Sequence, residues 1–117
     1  LAGVLFDFEE PWKIDLREFM NRNYTCDLTL EQLAHYTGRS LSAFKRDFAD
    51  TFEGETPARW IIRRRLEEAM ILLKKGVPAS SVYLKVGFKN LSHFSTAFKR
   101  QFGILPTQAK SIQNLYF

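Results

Sequence analysis

A twelve-residue pattern occurs twice in this chain and restricts what it can become. Residues 41–52 read LSAFKRDFADTF and residues 91–102 read LSHFSTAFKRQF. Leu41, Ser42, Phe44, Phe48 and Phe52 return 50 positions later as Leu91, Ser92, Phe94, Phe98 and Phe102. Each copy is followed by a glycine and, three residues on, a proline: Gly54 and Pro57, then Gly103 and Pro106. Phenylalanine at i, i+4 and i+8 falls on one face of a 3.6-residue helix, so each copy predicts a helix with an aromatic back. A fixed period is the mark of a repeat, and two copies predict a tandem pair of supersecondary units rather than a solenoid.

The front of each helix follows from the same count. At about 100° per residue, Ser42, Lys45, Arg46 and Ala49 lie opposite Phe44, and Ser92, Ser95, Thr96 and Lys99 lie opposite Phe94. Two helices therefore bury rings behind and present small, polar or cationic groups in front.

With 117 residues, 45% of them hydrophobic and 11 of them Phe, the chain can bury the core of one compact unit or of two small ones sharing a helix. Strand-like alternation fails almost everywhere, so the expected fold is all-α. The single Cys26 cannot form an internal disulfide and has no partner thiols for a metal site, which suits a reducing cytoplasm. No apolar run reaches membrane-spanning length, and the N-terminus lacks a signal-peptide pattern.

The net charge of +4 is unevenly spread. Residues 1–31 set Lys13, Arg17 and Arg22 against seven acidic residues, whereas residues 32–117 hold 14 Lys and Arg against six acids. After Glu68 there is no acidic side chain. That asymmetry predicts a polyanionic partner. A membrane surface is the competing polyanion, but no helix here pairs a basic face with an exposed apolar one.

Along the chain, residues 1–10 read as a linker or the remnant of a missing N-terminal domain. A first subdomain spans 11–55, a linker helix 56–76 and a second subdomain 77–117. Pro11 can open a helix covering Trp12, Ile14, Leu16, Phe19 and Met20. Thr29-Leu-Glu-Gln32 has the form of a capping box and starts a short helix through Leu33 and Ala34, which Gly38 ends. Ser40 can cap the first Phe-rich helix. Helix, glycine turn and second helix make a helix-turn-helix pattern, in which the second helix reads DNA. Thr56-Pro57 opens a long helix running to Lys75, about 28 Å at 1.5 Å per residue. Arg63 and Arg64 stand four residues before Glu67 and Glu68, so part of their charge is expected to pair internally. In the second unit Val82, Val86 and Phe88 are apolar, Gly87 turns the chain, and Asn90 or Ser92 caps the second Phe-rich helix. Leu105-Pro106-Thr107 opens a last short helix carrying Ala109 and Ile112. The terminal QNLYF resembles most of a protease-tag sequence.

These residues carry a family resemblance across 11–110. LTLEQLAHYTGRS, FKRDF, TPARWIIRRRLEEA and VGFKNLSHFSTAFKRQFG followed by Pro106 resemble the DNA-binding domain of AraC/XylS-type bacterial transcription regulators. The resemblance implies about seven helices in two helix-turn-helix subdomains joined by a long linker helix. Recognition helices at about 40–52 and 91–102 would enter successive major-groove segments. It implies base reading by Ser42, Lys45 and Arg46 in the first unit and by Leu91, Ser92, Ser95 and Thr96 in the second. Arg39, Arg63, Lys89, Asn90, Lys99 and Arg100 are the implied phosphate contacts. Thr96 stands where the family commonly has Arg, so weak guanine reading by the second helix is expected. Tyr83 stands at the place of Ala34, where a small residue is common.

The phenylalanines read as core rather than as base-stacking platforms. His35 and His93 have no second ligands nearby for metal or general-base work, although His93 can reach a phosphate or base from the flank of its helix. No acid, base and nucleophile cluster and no phosphate-cradling glycine loop is present, so the expected class is a binding protein, not an enzyme, with no cofactor and no metal. The expected partners are double-stranded DNA and, for the full-length protein, RNA polymerase. Effector binding or dimerisation would lie in the missing N-terminal domain, and no membrane is expected. The competing readings are a helical interaction module docking an acidic partner on its basic face, and a binder of structured RNA.

Overall fold

The computed structural model describes residues 13–110. Within them lie six α-helices, α1 (Leu16–Asn23), α2 (Leu30–Tyr36), α3 (Leu41–Thr51), α4 (Pro57–Lys74), α5 (Ala79–Lys85) and α6 (Leu91–Phe102), then a 3-10 turn at Pro106–Gln108. No strand occurs among the described residues. Residues 1–10, Pro11, Trp12, Ile112 and the QNLYF terminus lie outside them.

Two compact units form. Of the described residues, 13–23 and 28–57 make the first, and 24–27 and 58–110 make the second. In the first, Leu16 and Met20 of α1, Leu33 and Ala34 of α2, and Phe44, Phe48 and Phe52 are buried. In the second, Leu66, Ala69 and Leu73 of α4 pack with Val82, Val86, Phe88, Phe94, Phe98 and Ala109. The helix expected as a linker is thus a wall of the second core. The rings stack along each helix as their spacing requires: Phe44–Phe48 centroids lie 5.8 Å apart and Phe48–Phe52 4.3 Å, against 5.7 Å for Phe94–Phe98 and 4.7 Å for Phe98–Phe102. Each buried Phe contributes about 1.5–3 kcal/mol of transfer free energy.

Helix ends follow the local chemistry, with one correction. Pro11 lies outside the described residues; residues 13–15 are not helical, and α1 starts at Leu16, where the Asp15 carboxylate accepts the Arg17 N–H at 2.9 Å and the Glu18 N–H at 3.4 Å. A carboxylate at the N-terminus satisfies two orphan donors. Ile14, assigned to the apolar stripe, is exposed, and its N–H donates to the Thr37 carbonyl. The Thr29–Gln32 capping box is formed: Thr29 Oγ1 accepts the Gln32 N–H at 3.1 Å and Gln32 Oε1 accepts the Thr29 N–H at 2.8 Å. Pro57 opens α4, which ends at Lys74, one residue short of expectation, ahead of Gly76 at φ +99°.

The two turns share one backbone pattern. Gly38 (φ +76°) donates to the His35 carbonyl, and the next N–H, of Arg39, reaches back to Ala34 at 2.8 Å. Gly87 (φ +106°) donates to Leu84, and the next N–H, of Phe88, reaches back to Tyr83 at 2.8 Å. Tyr83 is accommodated at the place of Ala34 by lying half-buried, with its ring 6.4 Å from that of Phe94.

Candidate nucleic-acid interface

Each turn delivers a capped helix. Ser40 Oγ accepts the Ala43 N–H at 3.1 Å to start α3, and Asn90 Oδ1 accepts the His93 N–H at 2.9 Å to start α6. Asn90 therefore caps α6, and Ser92 stays on the exposed face. With the Phe rows turned inward, Ser42, Lys45 and Arg46 are exposed on α3, and Leu91, Ser92, Thr96, Lys99 and Arg100 on α6, while Ser95 is half-buried. Within each unit the structure gathers the positions expected to read bases along one face of the helix, away from its buried Phe row.

The cations sit at different depths along the two helices. Lys45 and Arg46 lie at the middle of α3, which has no basic residue in its last turn; α6 carries Lys99 and Arg100 in its last turn and no Lys or Arg before them. Arg46 is 64% exposed and makes a 3.3 Å contact with Asp47. Beside α6, Ser95, Thr96, Lys99, Arg100 and Leu105 line a shallow depression of about 370 Å³.

The proposed phosphate contacts divide. Lys99 and Arg100 are exposed in the last turn of α6. Lys89 is exposed and pairs with Asp27 at 2.7 Å, an exchangeable surface contact. Asn90 commits its Oδ1 to the cap. Arg63 pairs with Glu67 at 3.0 Å, and Arg64 shares that carboxylate at 3.6 Å while its guanidinium lies 4.4 Å over the Tyr24 ring, so the anticipated internal pairing is present. Arg39 is the least exposed of them. Its side chain is only 9% exposed, its Nε donates to Asp47 Oδ2 at 2.8 Å, and its Nη1 donates to the carbonyls of Ile14 at 2.8 Å and Thr37 at 3.0 Å. The guanidinium fastens the turn onto α3. Partial burial pushes the Asp47 carboxyl up, but the Arg39 hydrogen bond and the charges of Lys13 and Arg39, with Arg46, hold it below the ordinary carboxylate range.

Arg65 was not singled out by sequence reasoning, and it performs the matching task in the second unit. It donates Nε to Tyr24 O at 2.6 Å, Nη1 to Gly87 O at 3.0 Å and Nη2 to Cys26 O at 3.1 Å. Burial draws its guanidinium pKa down, with Asp27 and Cys26 pulling the other way. Its acceptors are backbone carbonyls, so no pairing of charged side chains along the chain announces it.

Among the described residues no group of three or more His, Cys, Asp or Glu could hold a metal ion, and no helix is long and apolar enough to cross a membrane. Comparison with known proteins agrees with this geometry. A family profile described as a helix-turn-helix domain matches residues 33–111. The virulence regulon transcriptional activator VirF of Yersinia enterocolitica is 33% identical over 96 residues, which is 81% of this chain; the chain spans 35% of that relative's length. The C-terminal domain of AraT, a response regulator from Geobacillus stearothermophilus, superposes with a TM-score of 0.74 at 26% identity over 82% of this chain and 80% of its own. A probable AraC family transcriptional regulator from Rhodopseudomonas palustris gives 0.69 at 27% identity over 83% and 92%. With the profile covering both turns and both recognition helices, the chain belongs to the AraC-type helix-turn-helix family of transcription regulators.

Proposed function

We propose that this domain binds double-stranded DNA sequence-specifically by seating α3 and α6 in successive major-groove segments of one asymmetric site. The observation that carries the reading is the pairing of two capped helices, each with phenylalanines buried behind and hydroxyl or cationic groups exposed in front. A recognition helix reads base edges chiefly with its N-terminal residues. Arg46 can bridge O6 and N7 of a guanine, Lys45 adds a single-point donor, and Ser42 can donate or accept. On α6, Ser92, Ser95 and Thr96 offer short hydroxyls and Leu91 a methyl contact. Lys99, Arg100, Lys89 and Arg63 take phosphates, which set register and orientation without reading sequence.

One chain already holds two readers, so a monomer suffices for a specific complex. For the whole protein we assign RNA polymerase as a further partner, the bacterial cytoplasm and its nucleoid as the location, and effector binding or dimerisation to the part outside the 35% that this chain spans in its relative. Selection of bound duplexes from a random library, followed by footprinting, tests the reading. The expected result is one recovered motif with two protected major-groove segments per chain. Protection of a single segment overturns the two-reader mode, and indifference to duplex sequence favours an acidic protein partner for the basic face.

A further inference from the structure

Leu105 lies outside both recognition helices, yet it is built into the face of α6. It is 42% exposed. Its backbone is held in an extended conformation, φ −78° and ψ 152°, by a hydrogen bond from its N–H to Gln108 Oε1 at 2.8 Å and by the buried Pro106 that follows. A single exposed leucine is ordinary on a protein surface. Leu105 is not single: it lines the depression along Ser95, Thr96, Lys99 and Arg100, and also a second one of about 310 Å³ whose walls include Leu91, Ser95 and Pro106. Leu91, itself 43% exposed, and Leu105 thus share one depression with Ser95, a base-reading position.

Resting on the DNA-binding reading above, we propose that Leu105 is a specificity-determining residue that, with Leu91, forms an apolar seat for the 5-methyl group of a thymine. The seat is continuous with the reading face, and Lys99 and Arg100 line the adjoining depression. Its occupant must therefore be apolar at one edge and anionic nearby. In the major groove the thymine methyl is the apolar group that base pairs present, and the phosphates supply the charge. The first unit has Thr56 before Pro57 where the second has Leu105 before Pro106, so this device belongs to the second reader alone.

Deoxyuridine in place of thymine removes that methyl and nothing else. In the duplex recovered by selection, each thymine is replaced in turn and affinity measured for the wild type, Leu105→Ala and Leu105→Met. The expected result is one position where the wild type loses about fourfold, the contribution of one buried methyl. Leu105→Ala should be insensitive there and Leu105→Met should keep the response, with all three proteins melting alike. The proposal is overturned if the wild type senses no thymine methyl, or if Leu105→Ala remains as sensitive as the wild type. Sequence-specific binding without methyl sensitivity removes only the role of Leu105. Failure to retain any duplex removes the DNA-binding reading beneath it.

Discussion

In the first unit the residue behind the turn glycine is Arg39, whose guanidinium reaches Asp47 on α3; at the matching place in the second stands Phe88, buried against Phe94 at 5.3 Å, with Ala97 where Asp47 would be. The residue ahead of the glycine follows suit. Thr37 is fully buried with its hydroxyl donated to Leu33 O at 2.8 Å, and its counterpart Val86 is fully buried without a polar group. The backbone hydrogen bonds of the two turns nevertheless coincide. One geometry is thus locked onto its recognition helix by a polar pair in one unit and by apolar packing in the other, where the arginine that serves the turn, Arg65, comes from α4 instead. The turn is specified by its glycine and its hydrogen bonds, and side chains of either chemistry can close it provided every buried polar atom finds a partner.

The sharpest break of this comparison is expected at Gly87. A Cβ there would meet Thr25 O and Arg65 Nε, both at 2.8 Å, and the residue also sits at φ +106°. Gly54 of the first unit has φ +85° but open space around the Cβ position. Gly54→Ala should cost about 1 kcal/mol of conformational strain. Gly87→Ala adds overpacking against backbone and should cost about 3 kcal/mol. Urea midpoints at unchanged slope measure the difference; equal losses for the two would remove the close approach from the account.

Second in size is the polar lock. Arg39→Ala leaves Asp47 without its main partner and the Ile14 carbonyl without its Arg39 donor, at about 2–3 kcal/mol. It should also change the acid limb. The native Asp47 carboxyl is held below its unfolded value, so the folded state binds fewer protons. The stability this confers is complete above about pH 4 and is lost as pH falls through the depressed native value. Stability measured from pH 6 down to pH 2.5 should fall less steeply in Asp47→Asn than in the wild type. An unchanged acid slope in that variant would show that other carboxylates set the limb.

Next comes base reading by the first unit. Arg46→Ala should relax preference at one base pair by about 1–2 kcal/mol, the lower part of the range for a bidentate contact, because Asp47 competes for the exposed guanidinium. Selected motifs of wild type and variant, aligned position by position, measure this. Undiminished preference in the first half-site would assign its specificity elsewhere.

The sequence announced what is local. Phenylalanines four apart, a Thr and Gln three apart, and a glycine between two helical runs act within one or two turns of chain, and the core rows, the capping box and both turns stand where those spacings put them. The outward placement of Lys45, Arg46, Thr96 and Lys99 follows from the same periodicity. What needed the fold was the destination of each charge. Arg39 looks like a phosphate ligand by residue type, yet Asp47, eight residues on, faces it only after the turn is made. Arg65 serves carbonyls of Tyr24 and Cys26, some 40 positions away in sequence. The start of α1 at Leu16 rests on Asp15, whose carboxylate accepts the N–H groups of the first turn. Leu105 reads as the opener of a last helix, and nothing in its spacing says that it borders α6.

The smallest expected effect tests whether the two readers divide labour by the position of their cations. Lys45 and Arg46 sit at the middle of α3, whereas Lys99 and Arg100 sit in the last turn of α6; in the proposed complex the first pair reaches base edges and the second reaches phosphates. A phosphate contact releases counterion and is blind to sequence. Lys99→Ala should therefore weaken specific and random duplexes by the same factor and lower the slope of log affinity against log salt by about 0.9. The same lysine also complements the C-terminal end of the α6 dipole, where a cation contributes about 0.3–1 kcal/mol to stability. Lys99→Gln, equally uncharged but longer, separates packing from charge: it should reproduce the salt slope of Lys99→Ala. If either variant sharpens or relaxes one base position while leaving the slope unchanged, Lys99 reads sequence, and the contrast with Arg46 is lost.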